Sequence, residues 1–86
     1  MKIRDGFILR QVAGKTVALA TEGDVDLNKM ITLNGTAAFL WEQMTTDTNE
    51  DALVAALLKE YDVDEMTARN SVQRFVGKLR DNGFLA

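Results

Sequence analysis

The chain has 86 residues, of which 47% are apolar and 27% charged, and a net charge of −3; this suits one domain over residues 1–86, with a core covering only roughly 60–65% of the unfolded surface. It contains no cysteine and no histidine, which excludes disulfides and thiolate metal sites and removes the commonest general base and metal ligand. The negative balance argues against a nucleic-acid partner held by phosphate contacts, and no apolar run approaches the ~20 residues of a membrane helix.

In chain order, residues 7–12 (Phe-Ile-Leu-Arg-Gln-Val) and 16–21 (Thr-Val-Ala-Leu-Ala-Thr) are β-prone runs. Ala13-Gly14-Lys15 between them reads as a hairpin turn. A polar connection over 22–29 follows, and Met30, Ile31, Thr32 and Leu33 form a third strand. Asn34 then suits a helix N-cap, so this strand runs directly into a helix over about 35–44. Ala37, Trp41 and Met44 share one face of that helix and Phe39 lies nearly opposite. A helix apolar on two sides is packed on two sides, which places this one centrally.

Thr48-Asn49-Glu50-Asp51 resembles a capping box and starts a second helix, with Leu53, Val54, Leu57, Leu58 and Tyr61 on its inner face and Asp62-Val63 ending it. Asp64 caps a third helix, and Glu65 suits the positive end of its dipole. Ala68, Val72, Phe75, Val76 and Leu79 follow the helical period, Gly83 stops the helix, and Phe84-Leu85 fold back as an apolar tail. Three strands followed by three helices is an α+β arrangement, with a small antiparallel sheet covered by helices on one face. The same order describes a winged helix-turn-helix.

The many carboxylates are candidates for acid–base work or for holding a hard cation. They fall, however, at helix starts and in polar loops, where capping and solvation account for them. Asp24-Val25-Asp26-Leu27-Asn28 spaces its oxygens like the start of a calcium loop, but Lys29 and Gly35 stand where such a loop needs Gly and Glu. No catalytic residue, metal site or cofactor is expected.

The third strand is more informative. A three-stranded sheet has two edges, and exposed edges are normally blunted with charge or proline. Residues 30–33 carry neither, and only Lys29 beside them is a gatekeeper. Such an edge is either covered by the protein itself or kept for a partner strand; from the strand alone the two readings stand level. On the third helix, Arg69, Gln73, Val76 and Arg80 line one flank beside the core stripe, while Ser71, Arg74 and Lys78 lie elsewhere around it. Taken alone these are an ordinary solvated surface, and a helical wheel does not say which flank faces the strand.

Leu33-Asn34…Leu40-Trp41, with small residues between, resembles the signature of the PqqD family of RiPP recognition elements, which hold the leader of a ribosomally made precursor peptide for a modifying enzyme. The hairpin, Tyr61-Asp62-Val63 and the closing Val72…Leu79…Gly83…Leu85 pattern extend the resemblance over most of the chain. It implies a wing-and-bundle fold, no enzymatic activity of its own, and a leader lying between the third strand and the third helix. The implied peptide-binding residues are Lys29, Met30, Ile31, Thr32, Leu33, Arg69, Gln73, Val76 and Arg80. The implied partners are a precursor leader and a modifying enzyme such as a radical SAM protein. Independently of the resemblance, residues 1–5 lack the apolar segment of a signal peptide, which points to the cytoplasm. The charge and hydropathy call for neither nucleic acid nor membrane. The alternatives are a winged-helix transcription regulator, with Arg69, Arg74, Lys78 and Arg80 on phosphate, and a structural subunit of a larger assembly.

Overall fold

The computed structural model describes residues 1–20 and 30–86. Three strands, β1 (Phe7–Val12), β2 (Lys15–Ala20) and β3 (Ile31–Leu33), precede three helices, α1 (Gly35–Gln43), α2 (Glu50–Glu60) and α3 (Glu65–Asp81). The sheet is antiparallel in the order β1-β2-β3, with Val12 opposite Lys15 at the hairpin and Thr16 opposite Leu33. The hairpin turn is tighter than the three-residue break expected from sequence. Only Ala13 and Gly14 make it, with φ of 52° and 79°, because two residues of positive φ match the right-handed strand twist.

The expected caps form at α1 and α3. The Asn34 side chain accepts from the Ala37 amide at 2.8 Å, and Asp64 from the Thr67 amide at 2.7 Å. At α2 the cap is Asn49, which accepts from the Ala52 amide at 2.9 Å, and not Thr48. The Thr48 backbone is engaged elsewhere: its amide donates to the Met1 carbonyl, and its carbonyl accepts from the Met1 ammonium. The third helix ends as its sequence indicates. Gly83 is left-handed at φ 77°. The Gly83 amide then reaches the Arg80 carbonyl and the Phe84 amide the Leu79 carbonyl, a Schellman closure that turns Phe84 into the core.

The core joins Ile31 and Leu33 of β3, Leu40, Trp41 and Met44, Leu53, Val54 and Leu57, and the α3 stripe from Ala68 to Leu79. Trp41 stands edge-on to Phe84 with ring centroids 5.7 Å apart. Phe39, on the other side of α1, is half-buried and meets Tyr61 edge-on at 5.6 Å, so α1 is packed on two sides as its pattern requires. Leu58 and Tyr61 depart from the expected inner face of α2, at 39% and 36% exposure. Leu58 lies off the Leu53–Leu57 stripe, and Tyr61 sits past the last helical turn in extended conformation, where helical periodicity no longer applies. The first and last residues are tied together: Ile3 bridges Leu85, and the Ala86 amide donates to the Lys2 carbonyl.

Candidate functional site

Strand β3 is short because Asn34 stops it to cap α1, and its alternation is complete within three residues. Ile31 and Leu33 are buried at 6% and 4%, and Thr32 faces out. One side of β3 is paired to β2, and the other pairs with no strand among the described residues. Beside that open side runs α3. Between them lies a groove of about 250 Å³ with Leu33, Leu40 and Phe75 in its floor. Thr32 forms the strand-side wall, and Ser71, Arg74 and Lys78 form the helix-side wall. These three recur at helical spacing, so all belong to one flank of α3. The described residues lining this groove include no carboxylate, in a chain whose net charge is −3. Arg74 and Lys78 are exposed and make no ion pair with any described residue.

The opposite flank of α3 is different. The Arg69 guanidinium donates to Glu50 at 2.8 Å and to Asp51 at 3.1 Å, both in the first turn of α2, and approaches Glu65 at 3.5 Å. Hydrogen bonds to Asp51 and then Glu50 hold its pKa above the usual arginine value. This flank therefore clips α3 to the start of α2. At the head of the same helix, bonding from the Thr67 amide pushes the Asp64 carboxyl below the usual aspartate range.

The residues singled out from sequence are thus divided. Thr32 and Leu33 line the groove, Ile31 is a buried core residue of β3 outside the groove lining, and Met30 is half-buried just before β3. Arg69 is held by α2, Gln73 and Arg80 are exposed on the Arg69 side of the core stripe, and Val76 is core at 7% exposure. Lys29 and the calcium-like spacing at 24–28 lie outside the described residues. Ser71, Arg74, Phe75 and Lys78 enter the groove without having been assigned to it from sequence. Their common spacing is visible in the chain, but the neighbour they meet is not.

An α+β domain with an open edge strand and a groove against its last helix is a winged-helix-like fold of the kind found in RiPP recognition elements. The family model of coenzyme PQQ synthesis protein D (PqqD) matches residues 15–85, and the chain belongs to that family. Among solved structures it is similar to TbiB1 in complex with the TbiA(beta) leader peptide, at 22% identity and a TM-score of 0.75, covering 99% of this chain and 94% of that one. It is also similar to a lasso peptide synthetase B1 complexed with the leader peptide, at 23% identity and a TM-score of 0.71, covering 96% and 93% of the two chains. No curated protein matches the chain.

Proposed function

We propose that this domain binds the leader of a ribosomally made precursor peptide as an added strand on β3 and presents it to a modifying enzyme such as a radical SAM protein. The open side of β3 beside the cationic groove carries this reading. Backbone pairing along β3 supplies affinity independent of side chains, and the groove between Thr32 and the Ser71–Arg74–Lys78 flank supplies selectivity. Membership of the PqqD family and the leader-bound state of two similar structures support it. The role is that of a binder and not a catalyst, acting in the cytoplasm where precursors are made. Tethering a leader beside the enzyme raises the local concentration of the segment to be modified.

The charge pattern disfavours the DNA-binding reading. The net charge is −3, and Arg69 is occupied by three carboxylates. Leader binding by strand pairing should change little with salt, whereas phosphate-driven binding should weaken steeply. The deciding experiment is an NMR titration of the labelled domain with the leader of its cognate precursor. The amides of Ile31, Thr32 and Leu33 and of the Ser71–Lys78 flank should shift most. Largest shifts in α2, or around Arg69, would overturn the proposal.

A further inference from the structure

The groove does not stop at the end of β3. Thr36 and Ser71, which line it, also line a second cavity of about 70 Å³ farther toward the start of α3. Leu57 forms its apolar floor, and Tyr61 and Val63 stand at its side, 36% and 39% exposed. Tyr61 is held upright by its edge-on contact with Phe39 at 5.6 Å. Thr67 closes the rim. The hydroxyls of Thr36 and Ser71, at the junction of the two spaces, bond to no described residue.

We infer that this cavity is a second subsite for the same bound peptide, taking one branched aliphatic side chain; the inference rests on the strand-addition reading above. The volume sets the side chain. A dry cavity of roughly 150 Å³ admits a benzene ring, and this one, at about 70 Å³, is half that, so it suits leucine, isoleucine or valine and not an aromatic residue. The topology sets the position. Every strand pair in the sheet is antiparallel, and an added antiparallel strand continues that better-bonded geometry. Such a peptide runs against β3, so the residues that reach beyond Leu33 toward Thr36 are those on the N-terminal side of its paired segment. The Thr36 and Ser71 hydroxyls then stand where the peptide backbone leaves the strand, ready to bond to the groups that lose their sheet partners.

The test uses a displayed library of random peptides selected on the intact domain. Selected peptides that shift the amides of Thr32 and Leu33 should share a leucine, isoleucine or valine just N-terminal to the paired stretch. Changing that residue to alanine should weaken binding roughly tenfold, the scale of burying part of one aliphatic side chain. Thr67→Phe, at an exposed helix position, should fill the cavity and abolish the difference between the parent and alanine peptides, while the Thr32 and Leu33 shifts persist and show that the fold and the strand pairing are kept. If the alanine peptides bind as well as their parents while those amides still move, the strand-addition reading stands and the second subsite is wrong. If no selected peptide moves the β3 amides, both fall.

Discussion

The two flanks of α3 carry similar charges and lead different lives. On one, Arg69 is neutralised by Glu50, Asp51 and Glu65 and fastens α3 to α2. On the other, Arg74 and Lys78 stand over a groove without an acidic partner among the described residues. A cation surrounded by carboxylates of its own chain serves the fold. Cations left beside an open strand edge in a net-negative chain remain available to a ligand. The difference shows that counting basic residues on a helix says little until their neighbours are known.

The largest expected effect removes the support under both flanks. Trp41 is 4% exposed and packed on Phe84, so Trp41→Ala should cost about 3–5 kcal/mol, enough to unfold so small a domain and abolish peptide binding with it. An unchanged melting temperature in thermal denaturation would show that the packing of Trp41 on Phe84 is not what holds the core beneath the flanks.

The comparison itself is broken or sharpened by reversing charge on each side separately. Arg74→Glu with Lys78→Glu should weaken binding of an acidic leader by roughly tenfold or more at low salt, with the melting temperature kept. The loss should shrink at high salt. Arg69→Gln should do the reverse, lowering the melting temperature while leaving affinity unchanged. Calorimetric titration beside a melting curve separates the two, and equal losses of affinity from both changes would erase the distinction.

Acid probes the head of the helix that both flanks share. The Asp64 carboxyl is pushed down by the Thr67 amide, and that of Asp47 by the Met1 ammonium. Each lowered pKa contributes stability that is present above the ordinary aspartate range and is lost as pH falls through the lowered values. Melting temperature should therefore drop in that acid range, and Asp64→Asn should make the drop shallower. The smallest effect is expected at Gly77, which lies away from both flanks with open space where a Cβ would stand. Gly77→Ala should stabilise the fold by about 0.5–1 kcal/mol, and should leave peptide affinity unchanged.

What could be read from sequence was local. The Asn34 and Asp64 caps, the α3 stripe and the Gly83 stop each depend on residues within a turn or two of one another, and each formed as expected. The capping of α2 was displaced by one residue because Met1, distant in sequence, binds the Thr48 backbone. Tyr61 left the inner face because the helix had ended. The division between the flanks was hidden for the same kind of reason. Arg69 and Arg74 differ in which element lies opposite, and periodicity along one helix holds no information about that.

The tie between Ile3 and Leu85, continued by the Lys2–Ala86 bond, brings the backbone at residues 2 and 86 within hydrogen-bonding reach, 2.9 Å from amide to carbonyl. This domain therefore brings its first and last segments side by side. Its ends can be joined by a short linker and reopened at the exposed Ala13-Gly14 turn without disturbing a helix, because surface turns with adjacent termini tolerate such rearrangement. A circularly permuted domain of this kind would carry any fused cargo at the tip of the hairpin instead of at the tied ends, with β3 and α3 unaltered.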